Sequence, residues 1–381
     1  MKVLKVYAIP KDTEEGAKQH RLALEQIESA MDLDYVVKAA AMADLHAGYS
    51  LPIGGVVATK NKVLPSWVGY DIGCGMCAVM TTFSSANIDR GKYEIHKALT
   101  AAIPTGFKIH EKAQMELCNI PGTLSELGKG VFEKKRGGKS AGTLGSGNHF
   151  IEIGCDAKND SVWIILHSGS RGPGHGLATE YMKLASNSDK PKEGHYAFDA
   201  DSYLGKWYLN DMEWMINYAL DNRMRLLTQV MRVINLFTSG DMLNSTLINS
   251  THNHIEQADG LYIHRKGATQ AHDGMMGVIP GNMRQGTFIV KGKGNPESLN
   301  SCSHGAGRLM SRKEASASIK LEDFEKDMEG IAATVTEGTL DESREAYKDI
   351  HEVMEQQKDL VKVLSHIKPI INLKSDEKKR R

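Results

Sequence analysis

Glycine-rich clusters recur along the chain, and each has a histidine, cysteine or arginine within it or close by. Glycine accounts for 37 of the 381 residues, against about 7% in an average protein, and the excess is not periodic. Glycine lets a tight loop bring its backbone close to another group. The pattern therefore predicts short strands whose connecting loops form a site. The clusters are LPIGGVVAT (51–59), DIGCG (71–75), GTLGSGNHF (142–150), HSGSRGPGH (167–175) and SHGAGR (303–308).

The spacing of apolar residues separates strand-and-loop segments from helical ones. It predicts strands at 3–8, within 39–82, at 162–166 and within 260–310, helices at 16–31, 92–102, 203–237 and 342–367, and a mobile loop at 122–141. Glycine loops lie on both sides of the 203–237 segment. We therefore expect one large α+β domain over 1–381, with 203–237 as an insertion or flanking layer and 375–381 as a flexible basic tail.

Composition excludes several classes of protein. The 47 Lys and Arg residues balance 47 Asp and Glu, which argues against a protein that holds nucleic acid by bulk positive charge but not against a local basic groove. Five cysteines are too few for a disulfide scaffold of this length, which favours a reducing compartment such as the cytoplasm. No apolar run approaches the ~18 residues of a membrane helix, so we expect no membrane segment.

Histidine and cysteine lie mainly beside glycine or at strand ends, where a ring or thiol is free to bind a ligand. Asp71 and Cys74 share a tight turn, and a carboxylate, a thiolate and imidazoles together suit Mn, Fe, Co or Zn. Cys74 and Cys77 form a CxxC, but no second pair completes a structural zinc site. A thioredoxin-like motif fits the glycine-rich context poorly.

The glycine loops also offer free backbone N–H groups, which bind phosphate. Four of them accompany a histidine or arginine, which indicates nucleotide or polyphosphate chemistry. The chain has no Walker loop, no dinucleotide fingerprint and no G-x-S-x-G elbow. It also lacks the K-x-D-G of lysine-dependent nucleotidyl transferases, so any covalent nucleotide adduct would use another nucleophile, for which a histidine is suitable.

Taken together, the motifs resemble the RtcB family of GTP-dependent RNA ligases, in order, from about residue 40 to Lys374. The matching blocks are ADLHAG, VGYDIGCGM, GTLGSGNHFIEI, LHSGSRG, HN (252–253), RKGA (265–268), IPGNM, SCSHGAGRLMSR and AYKDI. The resemblance implies buried mixed β-sheets around a central metal and GTP site, with flanking helices. It further implies an enzyme that joins an RNA 2′,3′-cyclic phosphate or 3′-phosphate end to a 5′-hydroxyl end, using GTP and two Mn²⁺ ions.

The resemblance also assigns roles to residues. His304 matches the guanylylated histidine, and Cys74 matches a ligand that bridges two metal ions. The other implied metal ligands are Asp71, His149, His167 and His252. The implied GTP contacts are Asn148, Glu152, Asn282, Ser303, Gly305, Ala306, Gly307, Tyr347 and Lys374. His254 is a possible extra ligand, though a solvent-facing or supporting position fits its spacing better.

RNA contacts are expected to be local, with candidates at Arg171, Arg265, Lys266 and the KKRGGKS segment (134–140). Two other functions stay open at this point. A metal-dependent RNA end-processing phosphoesterase would need the metal ligands and phosphate loops but not His304. An RNA-binding or redox-responsive module would use the CxxC instead.

Overall fold

The computed structural model describes residues 2–10 and 14–376. The expected basic tail therefore lies outside the described residues from position 377 onward. The α-helices are α1 (Glu14–Met31), α2 (Ser85–Arg90), α3 (Lys92–Ala102), α4 (Glu126–Lys134), α5 (Gly137–Ser140), α6 (Arg171–Ser186), α7 (Tyr203–Ile234), α8 (Arg312–Ser318), α9 (Leu321–Asp327) and α10 (Ile350–Gln356).

The strands alternate with these helices along the chain. They are β1 (Val3–Val6), β2 (Val36–His46), β3 (Ile53–Thr59), β4 (Lys62–Val63), β5 (Gly75–Thr81), β6 (Phe150–Asp156), β7 (Val162–Ser168), β8 (Phe198–Asp199), β9 (Ile248–Thr251), β10 (Asn253–Ala258), β11 (Leu261–Lys266), β12 (Ala268–Gln270), β13 (Met276–Pro280), β14 (Thr287–Gly292), β15 (Ser301–Ser303), β16 (Ala332–Ala333) and β17 (Val361–Leu373). Short 3-10 turns occur at 65–67, 117–119, 244–246, 296–298, 337–342 and 344–346.

Two sheets form the framework. The larger has the strand order β13-β14-β17-β6-β7-β5-β9, with β16 beside β17, and the second has the order β1-β2-β3-β11-β10. Most neighbours are antiparallel, whereas β1 runs parallel to β2 and β16 runs parallel to β17. Two short pairs, β12 with β15 and β4 with β8, complete the pattern. The prediction of an α+β fold with buried mixed sheets and flanking helices is confirmed.

The long helix α7 forms a layer against the large sheet, which agrees with the predicted helical segment at 203–237. Its N-cap, Ser202, accepts a hydrogen bond from the N–H of Gly205, as a serine at this position commonly does. Leu226, Val230 and Ile234 recur at helical spacing and are fully buried against apolar side chains of β5, β6 and β7. Burial of this apolar stripe fixes the helix behind one end of the sheet.

Two predicted elements are wrong. Residues 122–141 contain α4 and α5 rather than a loop, because their glycines serve close packing: an added Cβ on Gly137 would lie 2.2 Å from the Phe132 ring. Residues 342–367 were expected to be one helix but contain 3-10 turns, α10 and half of β17. Pairing with β14 and β6 draws β17 into the sheet, and Pro369 is accommodated at an irregularity in the register.

Within the described part of the chain, every helix is too short or too polar to cross a bilayer.

Candidate active site

Four neighbouring strands of the large sheet bring five ligand-type side chains to the same end of that sheet. These strands lie side by side in the order β6, β7, β5, β9, and each runs antiparallel to its neighbour. The start of one strand therefore lies beside the end of the next. His149 precedes β6, His167 lies near the end of β7, Cys74 precedes β5 and His252 follows β9. Asp71 joins them through a turn in which Gly73 has φ +73° and the Cys74 N–H donates to the Asp71 carbonyl.

The five side chains form two overlapping groups that share the Cys74 thiol. One contains Cys74, His167 and His252, the other contains Asp71, Cys74 and His149, and the ligand atoms in each group lie within 4.8 Å of one another. The Cys74 Sγ lies 3.4 Å from His149 Nε2 and 3.3 Å from His167 Nε2. This arrangement could hold a metal ion on each side of the sulfur.

The protonation of the imidazoles tests whether a cation fits. His149 Nδ1 lies 3.0 Å from the Leu144 carbonyl and His167 Nδ1 lies 3.2 Å from the Asn148 carbonyl, so in each ring Nδ1 carries the proton. In the neutral rings both Nε2 atoms point lone pairs inward. His149 Nε2 lies 3.1 Å from the Asp71 carboxylate, so either a proton or a metal ion must lie between these two acceptor atoms. The donor set fits a borderline divalent metal.

Burial shapes the charges of this cluster. It lowers the pKa of His167 and of His252 well below the usual value, which keeps both rings neutral and able to bind a metal. Burial and the nearby Asp71 carboxylate raise the pKa of the Cys74 thiol well above its ordinary value. A metal ion reverses that effect, since a ligating thiol is deprotonated.

Two residues of α7 that sequence reasoning missed hold the ligand-bearing loops together. The fully buried Arg223 donates to the carbonyls of Gly73 and Ser168 at 2.9 and 2.8 Å, and to the side chain of Asn249 at 2.7 Å. The adjacent Asn222 donates to Ser168 Oγ and accepts from the backbone N–H groups of 142 and 143. No pattern around these two residues distinguishes them from the rest of an amphipathic helix.

His304 follows β15 and faces the cluster, with its ring centroid 4.7 Å from that of His252. Its Nδ1 lies 2.7 Å from the carboxylate of Asp44, which also accepts from the backbone N–H groups of His304 and Gly305. Although burial opposes ionisation, His304 keeps the pKa of Asp44 below its ordinary value. Nδ1 is therefore the donor, and Nε2 carries the free lone pair. Asp44 belongs to the ADLHAG block, but it was not among the predicted site residues.

Beside His304 a cavity of about 360 Å³ opens. It brings together most of the residues predicted to contact GTP: Asn148, Glu152, Asn282, Gly305, Ala306, Gly307, Tyr347 and Lys374 line it together with His304. Ser303 is buried and does not line it, since its hydroxyl accepts from the Asp44 N–H. The Asn282 amide is already bonded to the side chain and backbone of Gln285.

One wall of the cavity is electropositive. The buried carboxylate of Glu342 lies 2.6 Å from Arg312, 2.8 Å from Lys374 and 3.5 Å from Arg308. Burial opposes ionisation, but these three cations hold the pKa of Glu342 at about 2. Asp341 also pairs with Arg312, but the three cations still outnumber the carboxylates of Glu342 and Asp341. Arg312 and Glu342 were not among the predicted site residues, although Arg312 ends the SCSHGAGRLMSR block.

A second carboxylate in the cavity, that of Glu152, has a raised pKa rather than a lowered one. Glu152 is buried and accepts a hydrogen bond from Thr287 at 2.8 Å, while Asn372 lies 3.5 Å away. Burial raises the pKa of Glu152 to about 7. A carboxylate that is costly to ionise and faces a cavity is suited to accept N–H donors from a ligand.

The predicted RNA contacts do not assemble in one place. Arg171 packs behind the cluster, with its guanidinium 3.4 Å from His149 Nδ1. Arg265 is fully buried and pairs with Glu256 at 2.6 Å. Lys266 is also buried, and its ammonium donates to the carbonyls of Tyr49 and Ser66.

His254 and Cys77, to which the sequence assigned no definite role, are also buried. His254 is not solvent-facing: it lies 3.3 Å from Arg265 and outside both ligand groups. Cys77 points into the hydrophobic core, where burial raises the pKa of its thiol to about 12. A buried, protonated thiol that is not paired with Cys74 offers nothing to a redox-responsive CxxC.

Comparison with known proteins identifies the family of this chain. A family model described as tRNA-splicing ligase RtcB matches residues 26–375. The RNA-splicing ligase RtcB of Escherichia coli (strain K12) is 34% identical, over 92% of this chain and 94% of the relative. The tRNA-splicing ligases RtcB of Nanoarchaeum equitans and Archaeoglobus fulgidus are 26% and 28% identical, over 97% and 86% of this chain and 95% and 86% of the relatives. The resemblance read from the motifs is confirmed, and the chain belongs to the RtcB family.

Proposed function

We propose that this protein is a GTP- and Mn²⁺-dependent RNA ligase that joins a 2′,3′-cyclic phosphate or 3′-phosphate end to a 5′-hydroxyl end. The names of its relatives, RNA-splicing and tRNA-splicing ligase, support RNA as the substrate. The observation that carries the proposal is the position of His304. Its free Nε2 lies between a cluster suited to metal and a cavity with an electropositive wall.

In the first step, His304 Nε2 attacks the α-phosphorus of GTP. A nitrogen–phosphorus bond forms, the bond to the β-phosphate oxygen breaks, and pyrophosphate leaves. The imidazole then carries a positive charge, which the Asp44 carboxylate offsets through its 2.7 Å hydrogen bond to Nδ1. A divalent ion bound at the cluster would supply charge neutralisation at the phosphate oxygens.

The following steps transfer the nucleotide to RNA and then release it. An oxygen of the RNA 3′-phosphate attacks the GMP phosphorus, which breaks the nitrogen–phosphorus bond and restores His304. The 5′-hydroxyl of the second end then attacks the 3′-phosphate, releases its proton to solvent, and displaces GMP as the new phosphodiester forms. A cyclic phosphate must first be opened by water.

The cavity residues support GTP as the nucleotide. An ionised Glu152 can accept from both the N1–H and the exocyclic amine of guanine, whereas adenine presents an acceptor at N1. Arg308, Arg312 and Lys374 offer positive charge to phosphate groups. Tyr347 and Asn148 lie at the same wall and would border the nucleotide.

The test is incubation with GTP labelled at the α-phosphate in the presence of Mn²⁺, followed by denaturing electrophoresis. The wild type should carry a label that acid removes and alkali does not, as expected of a phosphoramidate. His304→Ala should carry none, and His351→Ala, which changes an exposed histidine elsewhere, should label normally.

Two results would overturn the proposal. One is a label that survives His304→Ala. The other is absence of label together with opening of a cyclic phosphate end that GTP does not affect. The second result would indicate an RNA end-processing phosphoesterase.

A further inference from the structure

Three aromatic rings form a column beside the metal cluster. The Tyr70 and His175 rings stack, with centroids 4.9 Å apart and planes 19° from parallel. Tyr49 packs on Tyr70 at 5.8 Å with a tilt of 49°. The Tyr49 end is anchored by a side-chain hydrogen bond, from its hydroxyl to the Pro191 carbonyl at 3.1 Å.

The other end of this ring column reaches the protein surface. Tyr70 is 36% exposed, and His175 is exposed on the first turns of α6. Among the described residues, nothing forms a hydrogen bond with the Tyr70 hydroxyl, and neither ring belongs to an apolar core cluster. The stack therefore contributes little to the interior of the fold.

The column is fixed relative to the cluster by the backbone. Tyr70 directly precedes the predicted ligand Asp71, and Gly69, with φ +91°, makes the bend that turns the Tyr70 ring outward. The Asn253 side chain donates to the Asp71 carbonyl at 3.0 Å and pins the same bend. A group stacked on the column would thus be held at a fixed position relative to the predicted metal ligands.

Positive charge lies on the other side of the column. Lys134, Lys135 and Arg136, from the KKRGGKS segment, are exposed at the end of α4. Lys135 packs along α6, where an added Cβ on Gly176, next to His175, would lie 3.0 Å from the lysine Cε. Exposed rings flanked by cations are the features that bind single-stranded nucleic acid without sequence preference.

We infer that the Tyr49–Tyr70–His175 column is a stacking platform for an unpaired base of the RNA end bound at the cluster. The inference rests on the proposed function and adds to it a binding site for one nucleobase. A base would continue the column on His175, while its backbone phosphates lie toward Lys135. Such a contact favours a single-stranded end over a blunt duplex and tolerates all four bases.

The test compares RNA binding by fluorescence anisotropy in the intact protein. Tyr70→Ala and His175→Ala should weaken binding of a single-stranded RNA about 5- to 100-fold. His175→Phe should restore it, and His175→Leu should not, because only a planar ring stacks. Tyr93→Ala, which removes a tyrosine 62% exposed on α3, is the matched control and should bind as the wild type does.

RNAs that carry one abasic nucleotide locate the base. Placed at the stacked position, the abasic site should weaken wild-type binding by the same factor, and His175→Ala should then have no further effect. Equal binding by His175→Ala and the wild type, or an effect that stays additive at every abasic position, would overturn the inference.

Labelling by GTP needs no RNA and separates the two proposals. A wild type that fails to label overturns the proposed function but leaves the binding result readable. Should Tyr70→Ala lose labelling through damage to the neighbouring Asp71 turn, His175→Ala and His175→Phe carry the test, because the ring of residue 175 is exposed on a helix.

Discussion

The two walls that meet at His304 have opposite electrical character. The cluster of Asp71, Cys74 and three histidines presents ring nitrogens, a thiol and a carboxylate, and burial keeps the rings of His167 and His252 neutral by lowering their pKa. The cavity wall around Glu342 presents three cations against the carboxylates of Glu342 and Asp341. The first wall is suited to metal ions and the second to phosphate.

This difference shows how a chain with no net charge can serve two highly charged ligands, as the proposed function requires. Charge is concentrated at two walls rather than spread over the surface. His304 lies on the border, so under the proposed function its Nε2 would meet a nucleotide held from both sides. Substitutions on the two walls should therefore fail in different ways.

The largest effect is expected from Cys74→Ala on the electron-rich wall. Loss of the shared thiol removes a ligand from both groups, so bound Mn²⁺ and labelling by GTP should both fall to background. Metal content after dialysis, measured by mass spectrometry, gives the readout. Cys77→Ala changes a cysteine in the core and should keep its metal. Normal metal content in Cys74→Ala would contradict the bridging position.

Asp44→Asn should come next, because the Asp44 carboxylate contacts the His304 ring and the backbone N–H groups of residues 304 and 305. An amide can donate to Nδ1 and so favour the tautomer whose Nε2 is protonated and not nucleophilic. By analogy with other carboxylate–histidine pairs, we expect labelling to slow by about 10²- to 10⁴-fold. Stopped-time labelling measures the rate, and GTP affinity in the same variant should change little. A parallel loss of GTP binding would mean that Asp44 supports the cavity instead.

A smaller effect is expected on the cavity wall, where Glu152 makes GTP binding depend on pH. Its folded-state pKa is raised to about 7, so the carboxyl is mostly protonated below that pH and then presents a donor to the guanine N–H groups. GTP affinity should fall as pH decreases through about 7, by at most tenfold per unit. Calorimetry with His304→Ala, which cannot be labelled, measures the profile.

Glu152→Gln is the matched control for this profile. It should bind GTP about 10- to 100-fold more weakly at pH 8 and should lose the dependence on pH near 7. An equal slope in both proteins would assign the titration to another group.

The smallest effect on catalysis is expected from Arg265→Met, because Arg265 lies behind both walls. The change leaves the Glu256 carboxylate without the Arg265 partner that lies 2.6 Å away. Because 20% of the Glu256 side chain stays exposed to water, the free energy of unfolding should fall by about 3 kcal/mol, the lower end of the range for breaking a buried ion pair. Urea denaturation measures it. RNA affinity of the folded protein should stay the same. A large loss of RNA affinity without destabilisation would restore Arg265 as an RNA contact.

The sequence predicted the electron-rich wall better than the electropositive one, for a local reason. Asp71, Cys74, His149 and His167 each lie beside glycine or at a strand end, so residue type and immediate context indicated a ligand. The role of Glu342 depends on cations from two other segments, and the role of Asp44 depends on His304, 260 residues away. Such roles arise only when the chain has folded.

The misassigned elements have a similar origin. Residues 342–367 are rich in Glu, Lys and Gln, which favour helix, but β17 is fixed by its neighbours β14 and β6. In 122–141, polar residues and glycines suggested a loop, yet Gly128 is needed because an added Cβ would lie 2.9 Å from the Asp211 carboxylate. Local composition does not distinguish a glycine needed for close packing from one needed for a turn.

Arg223 bears on whether the protein folds before or after it binds a metal ion. Its buried guanidinium joins the loops that carry the ligands through bonds made entirely within the chain. The ligand geometry therefore does not wait for an ion, in contrast to small domains that fold only around their metal. The protein should fold and persist without metal, so that under the proposed function metal supply would govern how many molecules are active at a given moment without deciding whether they fold.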